Sequence, residues 1–253
     1  MTRRRPLILA IAFFLIPVCL WPQDDAIGGK RIAINKLLSE KKFGPALVMI
    51  QQEIENAKKT KQPPYVENDT LYLYAETGED AMILRLQVLA AAKLSEAEQK
   101  KLAWYQELRG QFEWKKIDTI EPFLPYLYYC LAYIAVEKED WETALKYLDQ
   151  ALALWPRYYG ALAEKNHVYI NTGKFAEAKT ISRQVIADTY PVPKKRKAVF
   201  YRNLGYIAIE EGDLDAAEEY YKTSLDLEPG NKIAKNELEY IGKEREKRSN
   251  AIR

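Results

Sequence analysis

Between residues 125 and 230 the apolar positions recur at helical spacing, interrupted by short polar turns. Three stretches line up: WETALKYLDQALALWP (141–156), FAEAKTISRQVIADTYP (175–191) and LDAAEEYYKTSLDLEP (214–229). Each opens on a large apolar residue, places alanine three positions later and ends at or beside proline. The alanines are Ala144, Ala178 and Ala217, so the intervals are 34 and 39 residues. The longer interval contains TYPVPKKRK (189–197), a loop by its prolines and charges. Ahead of each stretch lies a second apolar helix: YLYYCLAYIAVEK, ALAEKNHVYINT and VFYRNLGYIAIEE. Gly173 and Gly212 suit left-handed C-caps, and Asp140 suits an N-cap. A period of this length predicts helical hairpins in tandem, each covering its neighbour's apolar face.

Outside this block the pattern is looser. NKIAKNELEYIGKEREKRSNAIR, after Pro229, carries Ile233, Leu238 and Ile241 on one side and charge elsewhere, which predicts a capping helix. Its basic end, KEREKR, reads as a solvated helix end, with contact to acidic lipid as the alternative. In KRIAINKLLSEKKFGPALVMIQQEIENA (30–57), Phe43, Ala46 and Ile50 repeat the second-helix spacing and predict a degenerate hairpin. KTKQPPYVEN (59–68) reads as a loop. DTLYLYAETGEDAMILRLQVLAAAK reads as a helix pair turning near Gly78. SEAEQKKLAWYQELRGQFEWKK (95–116) reads as a helix opened by a Ser95/Glu98 capping box, with Leu102, Tyr105, Leu108 and Phe112 inward. No sustained β-alternation is evident, so the expected fold is all-α.

The hairpin block resembles the tetratricopeptide (TPR) repeat family. Tyr201, Leu204, Gly205, Ala208, Ala217, Tyr221 and Pro229 fall in the family's columns, as do Tyr128, Leu131, Ala132, Ala135, Ala144, Leu148 and Pro156. The middle copy keeps Leu162 and Tyr169 but has Lys165-Asn166 where Leu-Gly is usual. The resemblance implies an α-solenoid of antiparallel hairpins. Its parts would be a degenerate hairpin at 26–58, a helical region of uncertain character at 59–120, repeats at 122–157, 158–191 and 196–230, and a capping helix and basic tail at 231–253. It also implies a protein or peptide partner on the first helix of each hairpin. The groove columns hold Tyr126, Tyr129 and Tyr133, then Ala163, His167, Ile170 and Asn171, then Val199, Arg202, Tyr206, Ile209 and Glu210. Arg202 and His167 would orient the partner. The Lys/Asn/Arg clamp with which some relatives grip a terminal carboxylate is missing, because its columns hold Tyr129, Tyr133, Glu164, Val199 and Asn203. The competing reading is that the N-terminal half covers the tyrosines, making them core.

The N-terminus adds a location. MTRRRP followed by the uncharged run LILAIAFFLIPVCLW (7–21) is short for a membrane span and suits an export signal over residues 1–22. Three outcomes are open: a cleaved signal, a lipid-modified Cys19 after Ile16-Pro17-Val18, or a retained anchor. The expectation is a periplasmic protein, or one membrane-anchored and facing the periplasm. Net charge is +2 over 253 residues. Without Arg3, Arg4 and Arg5 the chain holds 35 basic against 36 acidic residues, so no bulk field favours nucleic acid. Chemistry is poorly provided for. His167 is the sole histidine, and Cys130 is the sole cysteine after the signal, so no metal cluster, triad or disulfide is expected. Gly28-Gly29-Lys30 lacks the rest of a phosphate loop, and the sequon Asn68-Asp69-Thr70 carries no weight alone. The sequence therefore predicts a non-catalytic scaffold without cofactor. The alternative is a membrane-tethered subunit of an envelope assembly complex.

Overall fold

A computed structural model describes residues 26–75, 77–191 and 193–252; the expected signal segment, residues 1–22, and Cys19 lie outside them. The described residues fall into two compact units. The first, residues 26–161 with 189–193, contains α1 (Ala26–Ser39), α2 (Phe43–Ala57), β1 (Tyr65–Glu67), β2 (Thr70–Tyr74), α3 (Gly78–Ala91), α4 (Glu96–Gln99), α5 (Ala103–Gln111), β3 (Lys116–Ile120), α6 (Phe123–Glu137) and α7 (Trp141–Leu154). Helix α8 (Tyr159–Asn171) begins in it. The second unit, residues 162–188 with 194–252, takes the rest of α8, then α9 (Phe175–Ala187), α10 (Lys195–Glu211), α11 (Leu214–Leu227) and α12 (Lys232–Ile252). The predicted dominance of helix holds, with one departure described below.

Four hairpins, α1/α2, α6/α7, α8/α9 and α10/α11, close on one kind of turn. Each places a residue at positive φ: Lys41 (54°), Glu139 (57°), Gly173 (72°) and Gly212 (85°). In each, the next backbone N–H donates five residues back: Lys42 to Leu37, Asp140 to Ala135, Lys174 to Tyr169 and Asp213 to Ala208, all at 2.8–2.9 Å. This is Schellman closure, which consumes carbonyls that the helix end would leave unpaired. Glycine adopts the left-handed conformation freely, so its presence in two turns made them legible. Lys41 and Glu139 adopt the same conformation without that signal. Asp140 and Asp213 then cap the following helix, accepting from Thr143 N (3.1 Å) and Ala216 N (3.0 Å).

The shared turn fixes a shared register. Equivalent positions across the four hairpins are Ile34 with Ile50, Ala132 with Leu148, Asn166 with Ser182, and Gly205 with Tyr221, and all eight residues are buried. Size is exchanged between partners: alanine goes with leucine, glycine with tyrosine. A Cβ added at Gly205 would lie 2.7–3.0 Å from the Tyr221 ring, so this hairpin closes only because no side chain is there. In the middle hairpin Asn166 Nδ2 donates to Ser182 Oγ (2.6 Å) and Ala178 O (2.9 Å), a hydrogen-bonded substitute for the small-residue contact.

Helix α2 packs on α6, although 65 residues separate Ala57 from Phe123 in the chain. The excursion between them is an α/β insertion, and it corrects the all-helical expectation for 59–120. The sheet order is β1-β2-β3. Asn68 and Asp69, at φ 49° and 57°, make the two-residue turn of an antiparallel β1/β2 hairpin. Strand β3 runs parallel to β2, pairing Thr70 with Lys116 through Tyr74 with Ile120. Parallel neighbours need a crossover, which α3 to α5 supply. Leu71 and Leu73 point into a core shared with Leu84, Val88, Trp104, Tyr105, Leu108 and Trp114. The residues read as a loop at 59–68 thus include β1. Those read as a helix pair become β2 and α3, and the single helix at 95–116 splits into α4, α5 and the start of β3. Glu98 does accept from Ser95 N (3.0 Å) and Ser95 Oγ (2.6 Å), so the predicted capping box forms.

Helix α12 covers the last hairpin with Ala234 and Ile241, which join Ala208, Leu214, Ala217 and Tyr221. Arg245 pairs with Asp215 and Glu218, and Arg248 reaches Gly212 O at 3.4 Å. The arginines of the basic tail therefore tie α12 to the last hairpin.

Candidate functional site

In the first unit the predicted groove tyrosines meet different fates. Tyr126 is 2% exposed. Its hydroxyl donates to Asn35 Oδ1 (2.7 Å), and the Arg31 guanidinium lies over its ring, 4.3 Å from the centroid. Arg31 also pairs with Glu121, with both side chains about 7% exposed. Burial works most strongly against the charge on Arg31, but Glu121, Tyr126 and Tyr158 together outweigh it and hold the guanidinium's pKa above its ordinary value. Helix α1 thus covers this part of α6, as the competing reading had it, and Tyr126 is core. Tyr133 is buried as well. Tyr129 stays half-buried.

Cys130, one turn beyond Tyr126, is sealed in the same place. Burial pushes its thiol up to about 12, despite the opposing influence of the Tyr126 hydroxyl and Arg31. Since thiolate is the reactive form, Cys130 in a Cys19→Ser background is expected to resist a thiol-specific reagent at pH 8. It should react fully after denaturation, a difference that reagent absorbance measures.

From Tyr129 a series of ring contacts crosses the unit. Tyr129 meets Tyr158 (5.6 Å between centroids), Tyr158 stacks on Trp155 (5.2 Å), and Trp155 meets Tyr74 of β2 (5.5 Å). The Tyr74 hydroxyl donates to Gln62 Oε1. Where the insertion meets the chain after α7, a narrow cleft opens, lined by Tyr74, Ala75, Asp80, Leu84, Trp155, Tyr159, Tyr190 and Pro191. Tyr190 is set edge-on to Trp104 (6.1 Å), and Arg157 lies over its ring (4.5 Å) while pairing with Glu107 (2.9 Å). Of these lining residues the sequence reading had singled out none. Ring contacts of this kind add about 0.5–1.5 kcal/mol each and fix the rings in place.

In the second unit His167, Asn171, Tyr206 and Ile209 are half-buried, while Ile170 and Arg202 are buried. His167 Nδ1 is 3.3 Å from Glu164 Oε1, and Asn171 Nδ2 donates to His167 O (2.9 Å). Arg202 does not point to a partner. Its Nη1 donates to Glu228 Oε2 (2.6 Å) and Ser224 Oγ (3.2 Å), tying α10 to the end of α11. Of the predicted set, Tyr129 in the first unit and Ala163, His167, Asn171, Val199, Tyr206, Ile209 and Glu210 in the second keep exposed surface. Among the described residues no group of three or more His, Cys, Asp or Glu is placed to hold a metal ion.

The tetratricopeptide repeat model matches residues 198–231. That segment runs from α10 through α11 and contains the Gly205/Tyr221 pair. It is a repeat of the kind that builds protein-interaction scaffolds. No curated protein matches the chain. Among solved structures the chain is similar to the Arabidopsis OM64 TPR domain, with 18% identity, a TM-score of 0.41, and 47% of this chain and 94% of that one covered. It is similar to the 41-end fragment of MamA from Desulfovibrio magneticus RS-1, with 17% identity, a TM-score of 0.41, and 70% and 92% covered. YrrB, a TPR protein with an unusual peptide-binding site, gives 18% identity, a TM-score of 0.40, and 85% and 92% covered.

Proposed function

We propose that this chain is a non-catalytic adaptor, exported from the cytoplasm, that holds a protein or peptide partner on first-helix side chains of its hairpins. One observation carries the reading: in the hairpins the inter-helix columns are buried, whereas Tyr129, His167, Asn171, Tyr206 and Ile209 on first helices keep part of their surface exposed. Tyrosine offers contact area and a hydroxyl at small entropic cost, which suits recognition. The hairpins α1/α2, α6/α7 and α8/α9 act as further repeats beside the matched one, on the strength of their common turn and register. Once a partner is in hand, calorimetry tests the reading. Tyr206→Ala with Ile209→Ala should weaken binding at least tenfold at a temperature where circular dichroism shows the variant still folded. Unchanged affinity would remove the second unit from the site.

A second reading, a tethered subunit of an envelope complex, is favoured by Cys19 behind Ile16-Pro17-Val18. Mass spectrometry of the mature N-terminus separates the two. An acylated Cys19 supports tethering, and a free N-terminus near residue 23 supports a released adaptor.

A further inference from the structure

We infer that the outer face of α3, formed by Met82, Leu86 and Leu89, pairs antiparallel with the same face of a second copy of this chain. The inference stands apart from the adaptor reading, which rests on other helices.

Helix α3 carries two apolar seams where a surface helix needs one. Ala81, Leu84, Val88 and Ala91 are all buried, and the last three join the core of the insertion. Met82, Leu86 and Leu89 are 57%, 59% and 50% exposed. At about 100° of rotation per residue, the two seams lie on nearly opposite sides of the helix. The insertion's own core therefore occupies the first seam and leaves the second facing water.

The second seam has the form of a helix-pairing surface. Its alternating steps of four and three residues are the interval at which one helix seats side chains between those of another. Among the described residues no other helix exposes three large apolar side chains, so the matching surface is this one, brought by another copy. Continued outward, the same spacing reaches Glu79 at one end and Lys93 at the other. The seam thus runs from an anion to a cation. A two-fold axis near Leu86 sets Glu79 of each copy beside Lys93 of the other, and the contact closes on itself. Parallel pairing would set like charges together at both ends. An anionic bilayer fits less well, because the seam ends on an acid as well as a base, and Arg85 beside it is engaged by Asp118. Only Gln87 and Ala90 widen the exposed face on this side. The contact is therefore small, about 1,200 Å² in total or less, and the dimer depends on concentration.

Disulfide trapping in the full chain tests this, in a Cys19→Ser background where the remaining cysteine, Cys130, is buried. Leu86 is exposed, so its replacement leaves the core untouched. After mild oxidation, Leu86→Cys is expected to give at least about tenfold more covalent dimer than Ala153→Cys, at an exposed position of α7. In a mixture of Met82→Cys and Leu89→Cys, one of them tagged, the mixed product should exceed either self-linked one. Glu79→Lys should cut the Leu86→Cys yield severalfold, and adding Lys93→Glu should restore it. Those two positions are 14 residues apart along α3 and meet only across the two copies. A Leu86→Cys yield no better than that of Ala153→Cys would overturn the inference. So would self-linked products dominating the mixture, or a yield indifferent to both charge changes. Protection of Leu86→Cys from a maleimide by phosphatidylglycerol vesicles, with no dimer formed, would give the face to lipid instead.

Discussion

Arg31→Ala is expected to destabilise the first unit by about 3–5 kcal/mol, because it takes away the buried cation that pairs with the Glu121 carboxylate. It also removes the cation from the Tyr126 ring and unfastens α1 from α6. Urea unfolding followed by tryptophan fluorescence reads the effect directly, since Trp104, Trp114, Trp141 and Trp155 all belong to that unit. The paired replacement Arg31→Met with Glu121→Leu should recover most of the loss, as apolar substitutes for buried ion pairs commonly do. A single-mutant loss below about 1 kcal/mol would mean the pair is solvated, and that α1 does not seal this part of α6.

Gly205→Ala is the second large effect. The added methyl group meets the Tyr221 ring at 2.7–3.0 Å, and Tyr221 is 1% exposed, so the ring has nowhere to go. Overpacking of this kind costs about 1–3 kcal/mol, against the gain of up to about 1 kcal/mol that alanine brings to a helix interior. The net result expected is a lower melting temperature by circular dichroism. Gly205→Ala combined with Tyr221→Leu copies the Ala132/Leu148 combination of the α6/α7 hairpin and should restore much of the stability. A single mutant as stable as the parent would show that the column does not set helix separation.

The hairpins were legible because their determinants are local. Ala144, Ala178 and Ala217 mark the close contact, Gly173 and Gly212 mark the turn, and in each hairpin these determinants lie within a single repeat. The turn at Lys41 was harder, since lysine does not advertise a left-handed conformation, and Phe43, Ala46 and Ile50 had to carry the identification. The α/β insertion escaped notice for physical reasons. TLYLY alternates for five residues only, and its partner β3 lies 42 residues beyond Tyr74. The turn at Asn68-Asp69 lacks the glycine that signals a two-residue hairpin. Helix α3 is apolar on nearly every side, with Met82, Leu86 and Leu89 exposed, so no periodicity set its limits against the strand.

The candidate site was less legible than the fold. The first-helix columns named Tyr126, Tyr133, Ile170 and Arg202, all of which the structure buries. Tyr126 is covered by α1, through Asn35 and through Arg31, whose partner Glu121 lies 90 residues away. Arg202 finds Glu228 across 26 residues. The aromatic cleft draws Tyr74, Trp155 and Tyr190 from three separated segments, and no spacing rule connects them.

Site-specific photo-crosslinking in cells tests the central claim most directly. A crosslinking residue is placed at Tyr129 or Tyr206 on first helices, and at the exposed second-helix positions Lys146 or Glu219. The account predicts that one partner is captured from Tyr129 and Tyr206 and not from Lys146 or Glu219. Capture confined to the second-helix positions would contradict it.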